Sequence, residues 1–365
     1  IHPPGYYLLL NVWMRIVGGT DYSAAFLSLS LGLVLVALAY RLAAKVFGSC
    51  SGYIAALLVA ISPYNVWYSQ EVRMYTLGAV LGAVLLLLVI RLLSSDPGSL
   101  PRWQHLVAYS ATGALGLWVL YYFAFLLLAV NLMIVGWWLF ARRREPRGWS
   151  WMLRWLVAQG GVLLLYAPWI PVSWRHATSP PVPPWRSAAG LGEIVVETWS
   201  ALGLGQSVDP ARVWPALVWV AILFGLGLLF GNMMKRGHPR RTGLTWLLAG
   251  SVFRPVLLIY LASFVTPLYH VRYVFTYSTS FYVIVAAGLA LLWRRWRPAF
   301  WFGLAVLLVC SGISLHAYHT DPTYASDDHR GATRFLAERW RPGDAILVNA
   351  GYGYTALLAY WEGDP

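Results

Sequence analysis

An acidic residue and an arginine lie two positions apart in the segment 62–75, where their side chains are able to do chemistry. Glu71 is the only acid of this segment, and Arg73 follows it. A carboxylate can take a proton from a hydroxyl nucleophile. In extended backbone Glu71 and Arg73 would face one ligand together, whereas in a helix Glu71 would pair with Tyr75. A structural ion pair that caps a helix hairpin is the other interpretation, and the spacing leaves both open.

A second cluster of polar and aromatic side chains occupies the segment 266–273. It contains His270, Arg272 and Tyr273. A planar guanidinium suits bidentate binding of a phosphate, and it would stabilise the negative charge that a departing phosphate gains. The alternative is that Arg272 and Tyr273 only anchor the helix ends among lipid headgroups.

The composition indicates that membrane-spanning elements carry these clusters. Of the 365 residues, 59% are hydrophobic and only 11% are charged, and the mean hydropathy is +0.59. Soluble proteins have about 25% charged residues, so a soluble fold is excluded. The net charge of +13 is spread over the loops of a membrane protein, which excludes nucleic acid as a partner. The lipid bilayer is the expected surrounding.

Ten apolar runs are long enough to cross about 30 Å of hydrocarbon as helices. The sequence therefore predicts an all-α polytopic membrane protein. The predicted spans are 24–40, 50–67, 74–93, 105–121, 124–140, 155–171, 213–231, 244–264, 274–293 and 299–317.

Charge asymmetry predicts the orientation of these spans. One set of alternate connections carries most of the basic residues, including five arginines within 141–154, and only Asp96 and Glu145 as acids. By the positive-inside rule this set is cytoplasmic. Both ends of the sequence, the segments 62–75 and 266–273 and the connection 172–212 would then lie on the outer face.

The outer segments differ in character. The first residues contain a proline pair and then an aromatic run too short to span, which favours a helix lying along the membrane surface. The connection 172–212 holds Pro180, Pro181, Pro183 and Pro184, which favour extended backbone in a loop that either is mobile or covers a ligand. We expect two domains: residues 1–317 in the membrane, and residues 318–365 as a truncated α/β tail outside it. The tail is predicted to contain a helix over 327–341 and a strand over 345–349.

Four short motifs in this order resemble the bacterial glycosyltransferase family 39 proteins. These are relatives of protein O-mannosyltransferases and of the lipid A aminoarabinose transferase, and they have the C-type glycosyltransferase membrane fold. The motifs are His2-Pro3-Pro4-Gly5-Tyr6-Tyr7, then Ser62-Pro63 with Tyr68-Ser69-Gln70-Glu71-Val72-Arg73-Met74-Tyr75, then Arg272-Tyr273, and then Arg330-Gly331-Ala332 with Arg341-Pro342-Gly343-Asp344.

The resemblance implies an inverting transfer of a sugar from a polyprenyl-phosphate carrier to a lipid, glycan or protein acceptor, on the outer side of the bacterial cytoplasmic membrane. The base expected in the family precedes the His-Pro-Pro motif, so we interpret the chain as a fragment that lacks it. Glu71 then has a supporting catalytic role and Arg272 is a candidate phosphate ligand. A Thr-His-Tyr motif of many relatives is replaced here by Leu120-Tyr121-Tyr122. The expected substrate-binding residues are His2, Gln70, Arg73, Tyr75, His270, Arg272 and Tyr273.

Two other classes of membrane protein compete with this interpretation. A transporter or lipid flippase would favour repeated halves and acids within the spans, and neither is present; Arg254, near the middle of a predicted span, is the one feature that favours it. A non-catalytic scaffold would leave the ordered motifs unexplained. No His, Asp or Glu group has clear metal-ligand spacing, so no cofactor is expected with certainty, although a divalent metal stays possible.

Overall fold

A computed structural model describes residues 2–94, 99–179, 189–234, 239–325, 327–341, 343–348 and 351–361. The chain divides into two units, Ile1–Leu315 and His316–Pro365. The helices are α1 Gly5–Val17, α2 Asp21–Phe47, α3 Ser49–Ile61, α4 Pro63–Gln70, α5 Tyr75–Leu93, α6 Trp103–Val119, α7 Phe123–Trp137, α8 Gly148–Tyr166, α9 Ile170–Thr178, α10 Leu191–Leu204, α11 Trp214–Met233, α12 Pro239–Ala262, α13 Val271–Val274, α14 Ser278–Arg295, α15 Arg297–Thr320, α16 His329–Ala337 and α17 Gly351–Tyr360.

Fewer helices are able to cross a membrane than the ten that the sequence predicts. In the described part of the chain, eight are long and apolar enough, or nine if the bent pair of α3 and α4 forms one span. The run 105–121 accounts for the difference, because α6 has 17 residues. At 1.5 Å per residue it is about 26 Å long, less than the hydrocarbon thickness. Leu120, with φ −151° and ψ 122°, ends the helix.

The bend between α3 and α4 separates the segment 62–75 from the span that precedes it. The two helices meet at 55°. Pro63 has no N–H to continue the hydrogen bonds of α3, and it suits the first position of a new helix. The Ser62 hydroxyl accepts a hydrogen bond from the Asn65 N–H at 3.2 Å, which caps α4. The same hydroxyl lies 2.5 Å from the Tyr282 hydroxyl on α14.

The stretch from α13 to α14 forms the centre of the first unit. The whole membrane-crossing part of Val271–Arg295 is buried. Glycines allow α11 and α14 to touch along their backbones: a Cβ on Gly288 would lie 1.9 Å from the Leu223 carbonyl oxygen, and one on Gly227 would lie 2.0 Å from that of Ile284. Lipid provides no hydrophobic driving force between helices, so van der Waals packing at such close contacts is a main contribution to helix association.

The connection after α8 differs from the predicted loop. The run 155–171 continues through a short turn at Ala167–Trp169 into α9, and α10 occupies residues 191–204. Helix therefore replaces much of the extended backbone that was expected over 172–212. The four prolines of this connection lie outside the described residues.

The second unit contains α16 and α17, and its described residues form no strand. The expected helix over 327–341 is shorter, His329–Ala337, and the Asp328 carboxylate caps it by accepting from the Gly331 N–H at 2.7 Å. The predicted strand at 345–349 is wrong for the part that is described, since residues 345–348 are irregular. A strand needs a neighbour to satisfy its backbone groups, and no other described segment of this unit supplies one.

Candidate functional site

The carboxylate of Glu71 lies where α4 ends and before α5 begins. Glu71 has extended backbone, with φ −80° and ψ 131°, so it turns away from the helix. The Trp67 indole N–H, one helical turn earlier, donates to its Oε1 at 2.9 Å. Burial raises the pKa of the Glu71 carboxyl, while the Trp67 hydrogen bond and the charges of Arg272 and Arg73 oppose this rise. The fixed carboxylate thus takes up a proton more readily than an exposed glutamate.

Arg272 is half-buried and is positioned by the residues that start α13. His270 caps this helix: its Nδ1 accepts from the Arg272 backbone N–H at 3.3 Å, and its ring also faces the guanidinium, 3.0 Å from Nη2. Tyr75, at the start of α5, forms a hydrogen bond with the guanidinium. A guanidinium has five N–H donors, and a neutral imidazole has one acceptor. His270 and Tyr75 therefore hold Arg272 in place and leave donors for a ligand.

Stacked tyrosines form a wall beside Arg272. The rings of Tyr122 and Tyr273 are nearly parallel, at 6°, with centroids 3.6 Å apart. The Tyr122 hydroxyl donates to the Leu268 carbonyl at 2.5 Å, and its own carbonyl accepts from the Tyr277 hydroxyl at 2.6 Å. These bonds connect the start of α7 to the turn before α13 and to the residues after it, which holds the aromatic wall in place.

The predicted site residues fall into two groups. Glu71, Tyr75, His270, Arg272 and Tyr273 lie together, joined by the interactions above and by the Tyr75–Tyr273 ring contact at 6.0 Å. Of the remaining three, Arg73 and Gln70 are exposed, and His2 is half-buried just before α1.

Arg73 is linked to Glu71 through the backbone. Its N–H donates to the Glu71 carbonyl at 2.8 Å. In the described part of the chain the two side chains form no ion pair, and the Glu71 carboxylate receives its hydrogen bond from Trp67 instead. The Arg73 charge also acts on the buried Tyr6 hydroxyl of α1, where it opposes the rise in pKa that burial causes. The charge of Arg73 therefore acts on both the Tyr6 hydroxyl of α1 and the Glu71 carboxyl.

Several residues near the site were not predicted from the sequence. The Gln206 Oε1 accepts from the Tyr68 hydroxyl at 2.8 Å, which ties α4 to the segment after α10. Glu197 on α10 forms a hydrogen bond with Tyr269, and burial raises the pKa of its carboxyl. Glu197 was detectable as an acid in the long connection, whereas its nearness to the turn before α13 depends on tertiary structure.

An imidazole also lies beside the position where the family has its Thr-His-Tyr motif. His176 of α9 makes a hydrogen bond through Nδ1 with the Tyr121 hydroxyl at 3.0 Å, and the Trp169 indole N–H donates to the same hydroxyl at 3.1 Å. A histidine from another helix thus accompanies the substituted Leu120-Tyr121-Tyr122. In the described residues, no group of three His, Cys, Asp or Glu side chains is arranged to hold a metal ion.

The comparison with protein families concerns the part of the chain that contains Glu71. Residues 1–174 match the model of the dolichyl-phosphate-mannose-protein mannosyltransferases. Over this range the chain is similar to that family. The resemblance inferred from the motifs is thereby confirmed. No curated protein sequence matches the chain.

Solved structures extend the similarity over nearly the whole chain. ArnT from Cupriavidus metallidurans in its apo state has a TM-score of 0.59 at 14% identity, over 98% of this chain and 64% of that one. ArnT bound to undecaprenyl phosphate gives 0.57, with the same identity and coverage. The oligosaccharyltransferase of Archaeoglobus fulgidus, in complex with Zn and sulfate, gives 0.55 at 15% identity, over 97% of this chain and 48% of that one. The chain spans less than two thirds of the length of these proteins and shares their multi-pass membrane fold.

Proposed function

We propose that this protein is a membrane glycosyltransferase that transfers a sugar from a polyprenyl-phosphate carrier to a lipid, glycan or protein acceptor, with inversion at the anomeric carbon. The single observation that carries the proposal is the grouping of Glu71 with Arg272, which is held by His270 and Tyr75. The family match over residues 1–174 supports it, as does the solved ArnT structure that contains undecaprenyl phosphate.

The proposed role of Arg272 follows from the charges of the reaction. When the sugar leaves its carrier, the lipid phosphate gains negative charge, and a guanidinium already oriented by its neighbours stabilises this charge without reorganising. Glu71 and the donor phosphate both attract Arg272, so the carboxylate has a supporting role: it keeps the guanidinium near the site when no phosphate is bound. Proton uptake by Glu71, favoured by burial, would release Arg272 to the phosphate.

The remaining predicted residues are assigned to substrate binding. Tyr75 and His270 orient Arg272, and the Tyr122–Tyr273 wall suits the apolar face of a sugar or the first isoprene unit of the carrier. Arg73 and Gln70, both exposed, are placed at the acceptor side, and His2 is assigned to the same entrance. We place this site on the outer face of the bacterial cytoplasmic membrane, in accord with the distribution of basic residues.

The test uses the purified full-length protein in lipid nanodiscs with radiolabelled polyprenyl-phosphate sugars. Two quantities are measured: binding of polyprenyl phosphate, and transfer of label to a lipid or peptide acceptor. We expect binding and transfer in the wild type, loss of both in Arg272→Ala, and no change in Arg212→Ala, whose side chain is exposed on the loop before α11. Absence of both activities in the wild type with every donor would refute the proposal.

A further inference from the structure

Gln206 lies in the turn after α10, and contacts on both sides of it hold this turn in place. Gly205 ends α10 with φ +91°, a conformation that favours glycine. A Cβ on Gly205 would lie 2.6 Å from the Pro63 Cβ and 2.8 Å from the Ser314 Oγ, so the turn packs closely against α4 and α15. The Ser207 hydroxyl donates to the Ser314 carbonyl at 2.6 Å. The neighbours of Gln206 in the chain therefore fix its position.

The side chain of Gln206 is half-buried, and its amide has a defined orientation. The amide Oε1 accepts from the Tyr68 hydroxyl at 2.8 Å. The amide Nε2 carries two N–H donors, and no residue in the described part of the chain accepts from them. The nitrogen also keeps some surface open to its surroundings. Its N–H groups are therefore available to a ligand.

The Tyr68 side chain connects this amide to the group around Arg272. Its ring centroid lies 5.2 Å from that of Tyr75, and Tyr75 forms a hydrogen bond with Arg272. The charges of Glu71 and Arg272 both act on the Tyr68 hydroxyl, which is the group that donates to the amide. Two sets of N–H donors, the charged set of Arg272 and the neutral set of Gln206, thus belong to one group of contacting side chains.

This pattern of donors favours a phosphate as the ligand. Gln206 offers the ligand its N–H groups, since the Tyr68 hydroxyl is bound to its oxygen, and the Arg272 guanidinium has N–H groups only. A phosphate has several acceptor oxygens and the negative charge that a guanidinium binds. A sugar hydroxyl also accepts from an amide but brings no charge to Arg272, so the tests below separate these two ligand groups.

We propose that Gln206 is a further phosphate ligand of this site: its Nε2 donates to an oxygen of the carrier phosphate whose charge Arg272 stabilises. The assignment rests on the proposed function, and it adds a residue from α10 to the binding of the donor. Tyr68 is then a positioning residue, because its hydroxyl determines which end of the amide faces the phosphate. The bond to Tyr68 is not required to hold the turn, since Gly205 and Ser207 already do so.

The test measures lipid binding to the purified full-length protein in detergent. Polyprenyl phosphate and polyprenol, which differ only in the phosphate, are the two probes. We expect Gln206→Ala to weaken binding of polyprenyl phosphate by about tenfold to a hundredfold, the range for a hydrogen bond to a charged group, and to leave binding of polyprenol unchanged. Gln206→Glu, which replaces the N–H donors by a carboxylate, should weaken it further. Equal affinity of wild type and Gln206→Ala for polyprenyl phosphate would overturn the proposal.

Two further variants separate a binding role from a structural one. Gln104→Glu is the matched control, because Gln104 is exposed near the start of α6 and the substitution makes the same change of charge. Tyr68→Phe keeps the ring and removes the hydroxyl, so it should weaken phosphate binding less than Gln206→Ala does. If Tyr68→Phe binds like the wild type, the hydroxyl does not position the amide. If Gln206→Ala loses both lipids and unfolds at a lower temperature than the control, the role of Gln206 is structural and the proposal is wrong.

The same measurements distinguish this assignment from the function on which it rests. A wild type that binds no polyprenyl phosphate would contradict the proposed function itself. A wild type that binds it, with the same affinity as Gln206→Ala, would contradict only the role of Gln206. If Gln206→Ala weakens binding of the sugar-linked donor alone, the amide contacts the sugar, and its assignment to the phosphate is wrong.

Discussion

Arg272 is the residue whose environment is most specialised. It is half-buried, held by His270 and by Tyr75, and adjacent to a carboxylate that burial makes more basic. An exposed arginine that only anchored the protein among headgroups would need none of these partners. The combination favours a ligand that needs one fixed cation.

Replacement of Arg272 should therefore reduce transfer rather than stability. We expect Arg272→Ala to lose roughly 2 to 4 kcal/mol of transition-state stabilisation, about 30- to 1,000-fold in kcat/KM, and Arg272→Lys to retain part of the activity because it keeps the charge without the planar fork. Initial rates with labelled donor at limiting and saturating concentration measure both constants. Normal rates in Arg272→Ala at both concentrations would remove the phosphate role.

Glu71 gives a prediction about pH. Because burial raises the pKa of its carboxyl above the ordinary value of 4.5, the folded protein binds a proton that the unfolded chain has already lost. The stabilisation from this proton is complete below 4.5 and is lost as the pH rises through the folded-state pKa. Glu71→Gln removes the titration, so its unfolding temperature should fall less than that of the wild type between about pH 4 and pH 8. Parallel profiles would show that Glu71 is not desolvated.

At the scale of the elements, helix contacts through glycine position the site. The backbones of α11 and α14 touch at Gly227 and Gly288, which fixes α14 and with it the short helix α13 that carries Arg272. A methyl group at either position meets a carbonyl oxygen of the other helix, and backbone cannot move aside as a flexible side chain can.

Gly288→Ala should lower the stability by about 1 to 3 kcal/mol, by overpacking. Gly225→Ala on the same helix pair is the control, because a Cβ there meets open space and alanine favours the helix. Thermal unfolding of the two variants in one detergent provides the measurement. If both unfold at the same temperature, the close contact of α11 and α14 does not stabilise the fold.

The lengths of the apolar runs predicted most of the spans, because length and hydropathy determine whether a helix can cross a bilayer. The apolar runs did not predict where two helices end, because local polar and steric interactions determine those ends. Pro63 and Ser62 bend the second run, and Leu120 ends α6 early. Glu71, Arg272 and Tyr75 lie in the ordered motifs of the sequence, and the structure brings them together. The motifs did not identify Trp67 or Gln206, whose roles depend on hydrogen bonds made only after the helices assemble.

At the scale of the whole molecule, the charge asymmetry of the connections predicts the orientation. Arg144, in the arginine-rich connection 141–154, and Val265, after α12, are both exposed, and Val265 is 90% exposed. Loops rich in arginine remain on the cytoplasmic side during insertion. Arg144 and Val265 should therefore lie on opposite sides of the membrane.

Cysteine labelling in intact cells tests this topology. Cys50 and Cys310, the two native cysteines, are first replaced by serine. A maleimide that cannot cross the membrane should then label Val265→Cys at once and Arg144→Cys only after the cells are permeabilised. Labelling of Arg144→Cys alone in intact cells would reverse the orientation and would move the proposed site to the cytoplasmic face.

The burial of α14 has a consequence for the biosynthesis of the protein. The ribosome makes α2, α3, α11 and α12 before it makes α14, yet α14 is the helix that these elements surround. The earlier helices must therefore enter the membrane without their central neighbour, with the glycine surface of α11 still facing lipid. Glu71 is also synthesised before Arg272, so its carboxylate is present in the membrane before the guanidinium is made. Assembly of the proposed catalytic site therefore cannot precede the synthesis of α13, and a chain arrested before α13 contains α2 to α12 but lacks Arg272.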